Sequence, residues 1–379
     1  MRLIEIVADP NNLIKSFHKV KKSSGWKYST QQVEVNLLKY INTLSKSLLD
    51  GTYRQSKGKE FVLNEQGKLR VIKALAPQDL IVQHSLCDFV ILPAIKKLLI
   101  HDSGASLKGK GLSFTRRRFE QHLFNYYTHY GNEGYILKID FRKFFDNIKH
   151  KELIEIFDNV FQDEEIKNLL ERILEPYRID VSYSDNKNII DEVFNSLDYN
   201  KIGAELKTGK RYMEKSVGIG SPFSQLAGLF FPHYIDNYCK TVKGIKYYDV
   251  YMDDRIIIHN DKEFLKDLLK EIEKLATTIG IHIHKDKTQI IKLSRGFTFL
   301  KTKYILTKTG KIIRKIPKDV VVRERRKLKT LARLVKNGVL TKEYFEQQYL
   351  AWRGDKRKYK AFHTLQNIDK LYKDLLGGI

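Results

Sequence analysis

The chain has 379 residues, with 69 Lys plus Arg against 45 Asp plus Glu, a formal net charge of +24. That excess points to a polyanionic partner, with nucleic acid ahead of an anionic membrane. The two cysteines, Cys87 and Cys239, match no metal-ligand spacing and no disulfide framework, as in a protein of a reducing compartment. The opening stretch MRLIEIVADPNNLIKSF lacks the apolar centre of a signal peptide. The best apolar run, FVILPAIKKLLI, is short and broken by Pro93 and two lysines, so it does not span a bilayer. A cytoplasmic protein with no membrane partner is expected.

Residues 28 to 50 read as helical. EFVLNEQGKLRVIKAL, 60 to 75, reads as a hairpin with Gly67 in its turn. DLIVQHSLCDFVILPAIKKLL, 79 to 99, reads as a helix interrupted near Pro93. EGYILKIDFRKFFDNI begins as a strand and passes into a helix. Residues 151 to 215 include an acidic, poorly patterned piece, DNKNIIDEVFNSLDYN, and read as an insertion. YYDVYMDDRIII, 247 to 258, reads as a hairpin with Asp253 and Asp254 at its tip. An amphipathic helix follows, with Phe264, Leu265, Leu268, Leu269, Ile272 and Leu275 on one face, Asn260 as its cap and Gly280 closing it. IHIHKDKTQIIKL returns to strand, with His282 and His284 as surface or edge residues. From about 316 the pattern is helical and densely basic. This order predicts an α+β fold, an antiparallel sheet with helices on one face.

Two adjacent carboxylates at a turn have an ordinary explanation, because Asp side chains bond local backbone groups. Asp140 changes the weighting. It ends the strand-like run YILKID, and if that strand pairs with the 247–258 hairpin, Asp140 and Asp253 face each other. Clustered carboxylates repel, and divalent cations with oxygen ligands offset that repulsion. Two such ions can activate a hydroxyl and stabilise a leaving phosphate.

YMDD resembles the Y-x-D-D motif C of reverse transcriptases, and the other motifs occur in the family's order. LKIDFRKFFDNI resembles motif A, GIGSPFSQ motif B, HKDKTQ motif D and RGFTFLKTKY the primer grip. GKLRVIKALAPQDLIVQHSL resembles the fingers, and YLAWRGDKRKY the thumb of bacterial reverse transcriptases. The resemblance covers roughly 60 to 305. It implies a right-hand polymerase fold: fingers within 1–134, palm 135–305 with the insertion at about 151–215, and a small helical basic thumb at 306–379.

The resemblance makes Asp140, Asp253 and Asp254 the catalytic acids and ligands of two Mg²⁺ ions, with Mn²⁺ as a substitute and the Phe141 carbonyl as an extra ligand. It implies nucleotide contacts from Arg70, Lys68, Lys73, Ile219, Gly220, Ser224, Gln225 and Lys287. Phe145 stands where the family keeps a steric gate against the ribose 2′-OH; otherwise it is a core aromatic beside Phe144. Tyr251 and Met252 would meet nucleic acid. Leu328, Leu331, Leu334 and Val335 lie on one helical face, which leaves Arg323, Arg325, Arg326, Lys327, Lys329, Arg333 and Lys336 to meet phosphates.

Motif B departs from the common P-Q-G-x-x-x-S-P, with Ile219 for Gln and Gln225 for Pro. This I-G-x-x-x-S-Q form resembles diversity-generating retroelement enzymes and unclassified, defence-associated bacterial groups. The long segment between motifs A and B favours the defence type. The primer grip reads Phe299-Leu300-Lys301 where F-L-G-Y is usual. No RNase H, maturase, endonuclease or integrase domain is expected. The implied partners are dNTPs, a DNA product and a dedicated RNA template, a structured RNA encoded nearby, with an accessory protein or a second copy as further candidates. The competing classes are a catalytically inactive RNA-binding protein with a polymerase fold and a palm-fold nucleotide cyclase.

Overall fold

The structure, a computed structural model, describes residues 2–65, 67–185 and 190–378. Four antiparallel strands form its central sheet, in the spatial order Gln289–Lys292, Tyr135–Ile139, Asp254–His259 and Tyr248–Tyr251. Side chains alternate across a strand, so each strand serves two cores. Leu137, Ile139, Tyr248, Val250 and Ile257 face the larger core. There they meet the helices Pro10–Ser24, Pro77–Leu86, His150–Phe161, Glu164–Leu174, Pro222–Phe230 and Lys262–Thr278. Ile136, Ile256 and Ile258 face the other way, onto Phe119, Leu123 and Tyr126 of the Leu112–Tyr130 helix. A three-stranded sheet, Phe297–Phe299, Thr302–Leu306 and Ile312–Lys315, completes that side. The fold is the expected α+β class, with its antiparallel sheet packed between helices on one face and a helix plus a small sheet on the other.

The C-terminal helices Lys318–Lys336, Lys342–Lys356 and Phe362–Gly377 have their own core of Leu328, Ala332, Phe345, Tyr349, Ile368 and Tyr372. At the other end of the chain, Lys59–Glu65 pairs with Lys68–Ala74 as the expected hairpin, and Gly67 turns it at φ +89°. Among the described residues, no helix is long and apolar enough to cross a membrane.

Several local expectations change. The 28–50 helix is two, Tyr28–Val35 and Leu37–Leu49, because Asn36 leaves helical geometry at φ −114° and ψ 32°. The break expected at Pro93 comes earlier, as a π-turn over Cys87–Ile91 in which the Leu92 N–H donates to the Cys87 carbonyl. Asp261, not Asn260, caps the Lys262–Thr278 helix, accepting from the Glu263 and Phe264 N–H groups at 2.8 and 3.2 Å. Within 151–215, the two helices up to Leu174 belong to the main core, through Leu153, Phe157, Ile166, Leu169 and Leu170. Only the part beyond has a separate small core, Ile179, Val181 and Phe194.

Candidate active site

The run from Ile281 to Lys292 is not one strand. His282–Ile283 pairs with Phe141–Arg142, while Gln289–Lys292 pairs with Tyr135–Ile139. The turn between them folds around Asp140. His284 N–H donates to the Asp140 carbonyl at 2.8 Å, and Asp140 N–H donates to Thr288 Oγ1 at 3.2 Å. Both backbone groups of Asp140 are therefore held, and its carboxylate is left for other partners. Lys287 Nζ stands 3.5 Å from Asp140 Oδ1. This places the motif D lysine beside the motif A acid.

The Tyr135–Ile139 strand pairs with Asp254–His259 in a register that ends at Ile139 opposite Arg255. One further step sets Asp140 opposite Asp254, not Asp253, and Asp253 sits one residue on, in the turn. Tyr251 pairs with Asp254, so Met252 and Asp253 are the two central turn residues. Met252 adopts φ +55°, the left-handed geometry that two-residue hairpin turns use, at a cost of roughly 1–2 kcal/mol for a side chain other than Gly. Ser106 Oγ lies 3.8 Å from its sulfur. Tyr251 packs against both cores.

Burial pushes the Asp254 carboxyl up to about 6; Lys138 opposes that rise, and Asp253 and Asp140 add to it. The Lys138 ammonium is 4.0 Å from Asp254 Oδ1. The three acids therefore feel one another, and the set suits oxygen-preferring divalent cations.

The tip rests on a pair that sequence reasoning missed. Arg255 is fully buried and donates from Nε to Asp236 at 2.8 Å. Its Nη1 donates to the carbonyls of Met252 and Asp253, each at 3.3 Å. Tyr248 also donates to Asp236, at 2.6 Å. The guanidinium lies 4.8 Å from the ring of Phe141, which is buried beside Phe144. The signal was available in the sequence: one cation heading an apolar strand, in RIII.

The remaining sequence-predicted residues divide by location. Arg70 ion-pairs with Glu65 at 3.0 Å and Lys73 with Glu60 at 3.1 Å, both across the 59–74 hairpin. The side chain of Lys68 lies outside the described residues. Gly220 reaches φ +106° close to Ile72, so the motif B loop meets the hairpin. Ile219 is partly buried and Gln225 exposed. Ser224 is buried, and its hydroxyl closes a capping box with Ser221 at the start of Pro222–Phe230. Phe145 is partly buried against Phe144, with Gly228 of that helix directly beneath its ring. In Lys318–Lys336, Arg325, Arg326, Lys327, Lys329, Arg333 and Lys336 are exposed, whereas Arg323 pairs with Asp319 at 2.8 Å.

Behind the hairpin lies a second acidic group. Asp102, His122 and Asp249 are buried with their ligand atoms within 4.8 Å of one another, a donor set compatible with a metal ion. Burial raises the Asp102 carboxyl, yet hydrogen bonds from Arg118 and Lys240 prevail and hold it at about 2. His122 Nδ1 is 2.7 Å from Asp249 Oδ2. With two cations already on Asp102, the group is mainly a polar network bracing the Tyr248–Tyr251 strand. A cavity of about 680 Å³, lined in part by Arg54, His150, Asp158 and Arg172, includes none of the predicted residues.

A protein-family model described as reverse transcriptase (RNA-dependent DNA polymerase) matches residues 63–304. Among solved structures, a telomerase from Candida albicans with a fragment of telomeric RNA is similar at TM-score 0.44 and 14% identity, over 89% of this chain and 56% of that one. An apo telomerase from Candida tropicalis is similar at TM-score 0.46 and 13% identity, over 85% and 63%. A form of it truncated from its C-terminal domain gives 0.42 and 15%, over 68% and 55%. The chain thus spans 55% to 63% of the length of these telomerases. No curated protein matches.

Proposed function

The chain belongs to the reverse transcriptase family, and we propose that it is an RNA-directed DNA polymerase, a nucleotidyltransferase, which copies one dedicated, structured RNA into DNA at Asp140, Asp253 and Asp254. The observation that carries this is the strand register that sets Asp140 alongside Asp254, with the Asp254 carboxyl lifted to about 6 by burial and by its acidic neighbours. A divalent cation bound there would displace the proton from Asp254 and offset the repulsion among the three carboxylates. Two Mg²⁺ ions, when bound there, would lower the pKa of the primer 3′-hydroxyl and neutralise the leaving pyrophosphate.

The chain's own groups position the reactants. Arg70 and Lys73 would grip the triphosphate, exchanging Glu65 and Glu60 for phosphate oxygens. Lys287, beside Asp140, would sit near the leaving group. Phe145 would bar the ribose 2′-OH. Tyr251 and Met252 would support the primer end, and the exposed cations of Lys318–Lys336 would clasp the duplex. Ile219 offers no hydrogen bond where many relatives offer glutamine, so readout of the nascent pair would rest on shape. This favours one fixed template over arbitrary RNA. The form of motif B and the long segment from motif A to motif B carry the assignment to a bacterial antiphage role, ahead of a diversity-generating one.

The test is Asp253→Asn. We expect dNTP incorporation with Mg²⁺ on an RNA template to be lost while the thermal melt stays cooperative. A folded variant that polymerises near the wild-type rate would overturn the three-acid site.

A further inference from the structure

The turn between Pro10–Ser24 and Tyr28–Val35 carries two rings that no core uses. Trp26 is 78% exposed and Tyr28 75%. Leaving rings of that size in water forgoes the burial that normally draws aromatic side chains into a core. The surrounding charge is one-sided. From Pro10 to Val33 the sequence has no Asp or Glu and five lysines, Lys15, Lys19, Lys21, Lys22 and Lys27. Lys19 is taken by Asp88 and Lys21 by Glu34. Lys22 and Lys27 are exposed and make no ion pair among the described residues. Lys27 Nζ lies 5.5 Å from the Trp26 ring centroid.

We propose that this corner binds single-stranded nucleic acid, with bases stacked on Trp26 and Tyr28 and phosphates on Lys22 and Lys27. Exposed π-faces interleaved with cations match unpaired bases on a charged backbone. A duplex hides its base faces and does not use such rings. Val35, also exposed, lies at the far end of the same helix, roughly 10 Å beyond Tyr28 at 1.5 Å per residue, and Leu38, at the start of the next helix, is exposed too. The corner precedes the family-matched residues 63–304 in the chain and contains none of the residues assigned to the three-acid site.

The chain has two tryptophans, Trp26 and Trp352. Trp352→Phe leaves Trp26 as the sole indole of the full chain. This protein is titrated with a 12-nucleotide oligo-U RNA and an oligo-dT DNA, without dNTPs or divalent cations. Saturable quenching of Trp26 that weakens with salt is expected. Trp26→Ala with Tyr28→Ala should weaken binding of a labelled oligonucleotide about tenfold or more. Lys22→Glu with Lys27→Glu should flatten the log–log salt slope by about 1.4. Binding seen by anisotropy without any change in Trp26 emission would overturn the proposal, as would the absence of binding. Emission that changes with protein concentration alone would overturn it too, in favour of a second copy on this corner. No catalysis is read, so failure of the three-acid site leaves this test intact.

Discussion

Arg255 and Asp236 form a buried ion pair that holds the backbone of the YMDD turn. The guanidinium spends Nε on Asp236 at 2.8 Å and Nη1 on the Met252 and Asp253 carbonyls at 3.3 Å. Breaking one partner of such a pair leaves a buried charge unpaired, which costs about 3–5 kcal/mol. Asp236→Asn and Arg255→Met should each destabilise by that order in chemical denaturation. The double variant should lose less than the sum of the two. It should still polymerise poorly, because the turn carbonyls have lost their donor.

Asp254 gives a pH prediction with a definite sign. Its folded value of about 6 lies above the ordinary 3.8. The folded protein therefore binds more protons than the unfolded chain between those values, and stability falls as pH rises through 6. At pH 7.5 without divalent cations the charged group costs at most about 3 kcal/mol. Asp254→Asn should melt higher than wild type in a chelator at pH 7.5. The gap should close toward pH 4 and also on adding Mg²⁺ to wild type. A variant that melts lower at pH 7.5 would refute the electrostatic account.

Leu300 and Lys301 both adopt left-handed geometry, at φ +45° and +58°, in the turn between Phe297–Phe299 and Thr302–Leu306. Lys301 stands where the F-L-G-Y pattern of the resemblance has glycine, and it also interacts with a neighbour. Lys301→Gly removes the Cβ penalty and loosens the unfolded chain, for a net gain of about 0.5–1 kcal/mol. Calorimetry should show a higher melting temperature.

A Cβ placed on Gly228 would lie 2.7 Å from Phe145 Cε1. Gly228→Ala therefore forces that ring to move, costing about 1–3 kcal/mol. If Phe145 gates the sugar, GTP should compete better with dGTP in the folded variant, as it should in Phe145→Ala. Unchanged discrimination in both would leave Phe145 a core aromatic.

Arg325 and Arg326 are exposed on Lys318–Lys336. Reversing both charges should reduce the slope of log K against log salt on a template–primer duplex by about 2, near 0.9 per lost phosphate contact. An unchanged slope would turn that helix face toward solvent or a protein.

The sequence by itself determined the elements whose signals are local. Runs of β-branched, aromatic and aliphatic residues marked the strand into Asp140 and the hairpin around Asp253. The 3.6-residue spacing from Phe264 to Leu275 marked the long helix, and the order of short motifs marked the family. Tertiary structure decided what depends on partners distant in the chain. It broke the 281–292 run because its two ends pair with different partners on either side of Asp140. It set Asp140 opposite Asp254 through the strand register, and a one-residue slip would have turned every side chain to the wrong face. It also joined Arg255 to Asp236, 19 residues away. Periodicity reports which side of a strand is buried, but it does not encode which buried charge will meet which, because that follows from how separate elements pack.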